Sequence, residues 1–336
     1  MRGQLAAAIA MSTGVGERLF TPQHLASVEA QIKFVDTFPL TTFSGPHADE
    51  VLAGTQVLIT GWGCPPLTAE VLDRAPLLEY VLHAGGTVKE HITDDVWARG
   101  IKVSSAALAN SIPVAEYTLA MIIMANKKIL HLSAAYTRQR TQLAPESLFP
   151  GLGNYGKTVG LIGASKIGRL VLEKLQNLDL RVLVADPYMS PEEAHKAGAE
   201  LTDLDTLLSH SDVVSLHAPA LPETRNLLDG RRIEMLRPGS TLINTARGCL
   251  VDQDALRVRV QRGDLFAILD VTTPWVLDPD DALFDHPNVL LTPHIAGSMG
   301  SELQRLSAAA LNEAVRIASG QELLFPVTAA DLARIA

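Results

Sequence analysis

The chain has 336 residues, 47% of them hydrophobic and 19% charged, with a formal net charge of -9. At roughly 100–200 residues per domain this is a two-domain length with ample material for packed cores. An acidic chain without a Lys/Arg block is a poor partner for nucleic acid or an anionic membrane, which leaves small-molecule enzymes and binding proteins. The two cysteines, Cys64 and Cys249, have neither CxxC nor paired spacing, so they read as reduced thiols of a cytoplasmic protein, with no disulfide framework and no metal site.

Along the chain, short apolar runs alternate with helical patterns. Leu5–Met11 reads as a first buried strand and not as a signal peptide, because its apolar run is short and alanine-rich. No apolar run is read as approaching the ~18 residues of a membrane span. "QVLITGWG" (56–63) and "LEYVLHAGG" (78–86) read as strands ending in glycine turns, with a helix between them. The stretch 103–130 reads as a loop followed by a long apolar helix from about Pro113, a residue well suited to a first helical position. Residues 141–157 read as a Gly/Pro-rich loop. Strand and helix then alternate to the end of "FAILDV" (266–271). Such alternation implies parallel sheets covered by helices and joined by right-handed crossovers.

The clearest unit is "VGLIGASKIG" (159–168), in which a strand leads through Gly163, Ala164, Ser165, Lys166, Ile167 and Gly168 into a helix. The dinucleotide fingerprint G-x-G-x-x-G would carry a glycine where Ser165 stands. Serine keeps the backbone N–H but adds a Cβ and a hydroxyl beside the phosphates. Asp186 ends the next strand, where an acid would accept hydrogen bonds from a ribose diol and repel a 2′-phosphate. NAD is therefore expected over NADP.

Several later stretches resemble one family: "NTARGCLVD" (244–252), "AILDV" (267–271), "NVLLTPHIAGS" (288–298), "DVVSLHAPALPETRNLL" (212–228) and "RGIKVSSAALANSIPVAEYTLAMII" (99–123). In order and spacing they look like the D-isomer-specific 2-hydroxyacid dehydrogenases. The resemblance implies two Rossmann/flavodoxin-like, doubly wound parallel-sheet domains with the active site in the cleft between them. It places an NAD-binding domain at 107–298, inserted into a substrate domain of residues 1–106 and 299–336. It further implies a homodimer and a small 2-keto or 2-hydroxy acid substrate.

Residue by residue, Arg247 matches the arginine that holds the substrate carboxylate and polarises the 2-carbonyl, and His294 the group that exchanges a proton with the substrate oxygen. Gly85, Gly86 and Thr87 match a loop whose N–H groups grip the carboxylate. Asp270 matches the acid that takes the nicotinamide carboxamide N–H. Pro219, Thr224, Thr245, Ala246 and Gly297 match positions lining the cofactor. His83 and His217 read as structural or supporting groups, and Trp62 as either a packed aromatic or a substrate contact.

One position departs from the pattern. The family carries a glutamate that hydrogen-bonds the catalytic histidine, and here Trp275 stands in its place in "DVTTPWVLDPDDALFDHP" (270–287). Three accounts follow. Asp278, Asp280 or Asp281 reaches His294 instead, although these read more plainly as a solvated loop. His294 works without a partner, more slowly. Or the chain has lost turnover and serves as an NAD(H)-binding sensor or interaction module. The second is preferred, because Arg247, His294, Asp270 and Asp186 are all retained. The indole is also expected to favour a substrate with an apolar or bulky C3 group.

Overall fold

The computed structural model describes residues 4–332. The chain divides into two compact units. Among the described residues, one unit runs to Ser111 and resumes at Ser298, and the other is Ile112–Gly297. The sequence reading placed this divide at 106/107 and 298/299.

The first unit is built on a six-stranded sheet. Its parallel strands are β1 (Leu5–Ala10), β2 (Ile32–Phe34), β3 (Val57–Thr60), β4 (Tyr80–His83) and β5 (Lys102–Ser105), in the order β2-β1-β3-β4-β5. A short strand, Pro326–Val327, pairs antiparallel with β5 at the edge. The 2-1-3-4-5 order is that of flavodoxin-like sheets. Side chains alternate between two cores: Ala7, Ile9, Val57 and Ile59 on one face, Ala8, Ala10 and Leu58 on the other. Burial on both faces explains why β1, β3 and β4 read as apolar runs.

The second unit carries seven parallel strands: β6 (Thr158–Ile162), β7 (Arg181–Ala185), β8 (Glu200–Leu201), β9 (Val213–Leu216), β10 (Thr241–Asn244), β11 (Phe266–Leu269) and β12 (Val289–Leu291). Their order is β8-β7-β6-β9-β10-β11-β12. This is the Rossmann order, which reverses between β6 and β9 and opens a crevice at the carboxyl ends of those strands. Val159, Leu161, Val182, Val184 and Ile243 fill one face; Leu183, Leu242, Ala267 and Leu269 fill the other.

Three expectations need correction. Val103–Ser105, read as loop, belongs to β5, since a strand this short between polar neighbours carries little periodicity. The long helix spans Ala107–Asn126, so it begins six residues before Pro113 and holds that proline inside. Proline marks helix starts more often than interiors, which is why the sequence misled. At 20 residues this is the one helix among the described residues long and apolar enough to cross a membrane, contrary to the expectation of none. One side of it is committed to the second unit: Ala115, Ile122 and Ala125 pack in the core, and the Tyr117 and Thr118 hydroxyls meet those of Thr292 and Thr245.

Candidate active site

At the nucleotide loop, β6 turns through Gly163 into the Lys166–Leu175 helix. Gly163 has φ +96, and a Cβ there would lie 2.7 Å from the backbone N of Ala218. A Cβ on Gly168 would lie 2.2 Å from the Gly163 carbonyl oxygen. Both glycines are thus demanded by the close approach of helix, turn and neighbouring strand. Ser165 is the helix N-cap, its Oγ accepting from the Gly168 N–H at 3.4 Å. That capping bond explains serine at the middle position: it satisfies a helix-end donor that a glycine leaves open. Asp186, just past β7, accepts from the Ala164 N–H at 2.6 Å and the Tyr188 N–H at 2.8 Å. A backbone cradle that admits no Cβ, a helix N-terminus and a strand-end carboxylate together suit a dinucleotide pyrophosphate and ribose.

The loop after β9 includes Pro219 and Thr224. The Thr224 hydroxyl donates to the Pro219 carbonyl at 2.7 Å and accepts from the Leu221 N–H at 2.8 Å, so its first task is to close this loop on itself. His217, beside it, is buried with Nε2 on Ser215 Oγ at 3.0 Å, and burial lowers its pKa to about 3.

After β10 the chain enters the Thr245–Ala246–Arg247 turn. Asn244 braces it from both sides, donating to the Arg247 carbonyl at 2.9 Å and accepting from the Ala246 N–H at 3.0 Å. Thr245 is buried, with its hydroxyl 3.2 Å from that of Thr118. The Arg247 guanidinium donates to the Ala246 carbonyl at 2.7 Å.

Past β11, Asp270 is buried at 2% exposure. Its carboxylate accepts from Thr292 Oγ1 at 2.6 Å and from the N–H groups of Ile295 at 2.8 Å and Ala296 at 2.9 Å. Its carbonyl accepts from the His294 N–H at 3.0 Å. Thr292 spends its only proton on Asp270, so Tyr117 donates its phenol proton to Thr292 Oγ1, at 2.8 Å. One carboxylate therefore clamps the whole 292–297 loop, a role that the sequence reading, which gave Asp270 a cofactor contact, did not foresee. Within the clamp His294 has φ 55, a left-handed conformation uncommon for a side-chain-bearing residue. Such a conformation costs on the order of 1–3 kcal/mol and is kept only where surrounding bonds over-determine it.

His294 is exposed, and its ring faces Trp275, with centroids 4.6 Å apart and planes inclined at 49°. The Trp275 turn is tied down by Thr272, whose hydroxyl donates to the carbonyls of Pro274 at 2.8 Å and Trp275 at 3.2 Å. Among the described residues of this unit, no carboxylate bonds the imidazole. Asp281 is occupied by Arg257 at 2.7 Å and by the Leu283 N–H, with its side chain 4% exposed. It is a buried ion-pair partner and not the solvated loop residue expected. Asp278 accepts from the Asp280 N–H. The account in which an aspartate replaces the missing glutamate finds no support. The pKa of His294 is lowered by loss of hydration, opposed by the Asp270 charge and reinforced to a lesser degree by Arg247.

In the first unit, β4 leads into Gly85–Gly86–Thr87. The buried His83 ring lies under this turn, and a Cβ on Gly85 would lie 2.5 Å from His83 Nε2. Among the described residues, the three N–H groups of the turn enter no hydrogen bond within the unit. His83 Nδ1 and His91 Nε2 each lie 3.0 Å from Thr60 Oγ1, and burial, reinforced by His91, lowers the pKa of His83 to about 3. Trp62 is 37% exposed.

Residues 119–296 match the model of the D-isomer specific 2-hydroxyacid dehydrogenase NAD binding domain. The chain belongs to this family. It is 34% identical over 303 residues to a D-3-phosphoglycerate dehydrogenase of Mycobacterium bovis, covering 88% of this chain and 54% of that protein. A glyoxylate reductase of Thermofilum pendens is 32% identical over 259 residues, covering 76% of each. The crystal structure of the TT0316 protein from Thermus thermophilus superposes with a TM-score of 0.75 at 28% identity, covering 96% of this chain and all of that one. This family member spans about half the length of the first curated relatives it matches. Asn244, Thr272, Thr292 and Tyr117 support its site without having been singled out from sequence. Each acts through a hydrogen bond.

Proposed function

We propose that the chain is an NAD-dependent oxidoreductase interconverting a small D-2-hydroxy acid and its 2-keto acid. The observation that carries this is the loop clamp. A histidine in a left-handed conformation is fixed by a buried aspartate and lies within electrostatic reach of an arginine, in a Rossmann unit with a glycine cradle. The dinucleotide, when bound, supplies the hydride acceptor or donor. Gly163, Ser165, Lys166, Ile167 and Gly168 would lie along its pyrophosphate, and Asp186 would take the ribose diol. Pro219, Thr224, Thr245, Ala246 and Gly297 would line the rest.

Arg247 pairs its planar fork with the substrate carboxylate and polarises the 2-carbonyl. The N–H groups of Gly85–Thr87 offer a second anion contact. His294 accepts the hydroxyl proton during oxidation and returns it during reduction. Asp270 holds His294 at the required place, with its remaining acceptor capacity toward the carboxamide. His83 and His217 stay neutral and structural. Trp275 is 66% exposed and offers apolar surface beside His294, which favours a C3 substituent that is apolar or bulky. D-3-phosphoglycerate and glyoxylate, named in the relatives, are the reference compounds against which that preference is measured.

Asp186 would exclude a 2′-phosphate, giving NAD preference. A second copy of the chain is the proposed cover for the Ile129–Gln139 helix, which buries none of its residues and exposes Ile129, Leu130 and Tyr136; light scattering should give twice the monomer mass. The unpaired Cys64 and Cys249 suit the reducing cytoplasm. The function is tested by coupling purified protein to NAD+ or NADH with a panel of hydroxy and keto acids, His294→Gln and Arg247→Lys beside wild type. Both variants should lose turnover by about a hundredfold or more. NADH binding without turnover by wild type would leave the sensor reading instead.

A further inference from the structure

The imidazole of His294 has a ring for a neighbour and, among the described residues of its unit, no anion bonded to it. Among the described residues of its unit, the charged groups acting on it are Asp270 and Arg247, and the phenol of Tyr117 reaches the same loop through Thr292. The end of β11 supplies Asp270, whose carboxylate already accepts three hydrogen bonds from the 292–297 loop. The turn after β10 supplies Arg247. The Ala107–Asn126 helix supplies Tyr117, whose phenol ends on Thr292. The Thr272–Val276 turn, nearest the ring, presents the indole of Trp275 and no charge.

We propose that Trp275 is a positioning residue for His294: its indole holds the imidazole as a neutral proton acceptor, so that at neutral pH this site favours oxidation of a 2-hydroxy acid over reduction of a 2-keto acid. The proposal rests on the dehydrogenase reading for its direction of reaction, but not for the placement and charge of the ring. In oxidation the hydroxyl proton passes to His294. The C2 hydrogen leaves with the bonding electron pair to oxidised nicotinamide dinucleotide. The products are the 2-keto acid, the reduced dinucleotide and imidazolium, which releases its proton to water. A ring that is neutral beforehand is ready for this step, whereas reduction must first protonate it.

Two features hold the indole to this task. Thr272 fixes the backbone of the turn through the carbonyls of Pro274 and Trp275. The left-handed backbone of His294 is anchored through its own N–H to Asp270 and Thr292. The two rings therefore meet from two independently pinned loops. Loss of hydration is the leading cause of the lowered pKa of His294, and the indole lies against that ring with centroids 4.6 Å apart.

The test is an NMR pH titration of the His294 ring protons without added cofactor, the signals assigned by their loss in His294→Gln. Wild type is compared with Trp275→Phe, Trp275→Ala and Trp275→Glu. Wild type should titrate below 6.5, Trp275→Phe beside it, Trp275→Ala closer to 6.5 and Trp275→Glu above it. With substrate, Trp275→Ala should lose about tenfold or more in kcat with KM little changed, and Phe should restore most of that. The ratio of kcat for oxidation to kcat for reduction at pH 7 should fall about tenfold for each pKa unit gained in Trp275→Glu, with KM values shifting so that the overall equilibrium is unchanged. If wild type and Trp275→Ala titrate together, or Trp275→Glu leaves the titration unmoved, the proposal is overturned. If the titrations behave as stated but no hydroxy acid is oxidised, the dehydrogenase reading fails and the positioning of the ring stands.

Discussion

Replacing Thr292 with valine tests whether the Asp270 clamp holds the 292–297 loop. The change keeps the shape of the side chain and removes one hydroxyl, and that hydroxyl makes two bonds. It donates at 2.6 Å to a carboxylate buried at 2% exposure, and it accepts from the Tyr117 phenol at 2.8 Å. A hydrogen bond to a charged group contributes about 1.5–3 kcal/mol. The half-buried phenol regains part of its loss from water, so its share is about 0.5–1 kcal/mol. Together the loss is about 2–4 kcal/mol, which in a unit of this size lowers Tm by roughly 4–15 °C. The assay is thermal unfolding of wild type, Thr292→Val, Tyr117→Phe and the double variant. Tyr117→Phe should cost less than Thr292→Val, and little more once valine is present. The loosened loop should lower kcat more than it raises KM. A valine variant melting within about 1 °C of wild type, or strictly additive losses, would refute the clamp.

Further expectations follow from the nucleotide loop and from burial. Gly168→Ala drives a Cβ into the Gly163 carbonyl and should weaken NADH binding about tenfold or more by fluorescence titration, while Ser165→Ala, which loses only the cap, should cost about 1 kcal/mol of stability. Asp186→Ala should narrow the preference for NADH over NADPH by about tenfold, as a ratio of dissociation constants; an unchanged ratio would remove Asp186 from ribose recognition. His83 and His217 have folded pKa values lowered to about 3, below the unfolded 6.5. Between these values the unfolded chain binds more protons, so their contribution is intact above about 6.5 and is lost as pH falls toward 3, by up to ~1.4 kcal/mol per pH unit for each ring. The urea midpoint should therefore drop between about pH 7 and pH 5, and drop less in His217→Gln; equal drops would refute this.

Most strands of both sheets were legible as apolar runs because they are buried on two faces, but β5 read as loop. The two-residue β8 and three-residue β2 were too short to carry a pattern. Pro113 hid the first turns of its helix. Gly163, Gly168, Asp186, Arg247 and His294, the residues proposed for the site, come from motif and spacing. Their supports could not, because Thr292 and Asp270 are 22 residues apart and Tyr117 and Thr292 are 175 apart. Arg257 and Asp281, 24 apart, remove one aspartate from consideration in a way no local pattern reveals. Trp275 was conspicuous as a missing acid; that its ring packs on His294 is a tertiary fact.

Everything proposed for the site turns on His294 moving a proton while a hydride moves to or from the dinucleotide. The decisive assay follows the absorbance of NADH at about pH 8 with a panel of D-2-hydroxy acids and NAD+, and again at lower pH with NADH and the matching keto acids. Turnover is expected with at least one D-acid and none with its L-isomer, and it should be lost in His294→Gln with NADH binding retained. Tight NADH binding with no turnover in either direction, or turnover that survives His294→Gln, would contradict it.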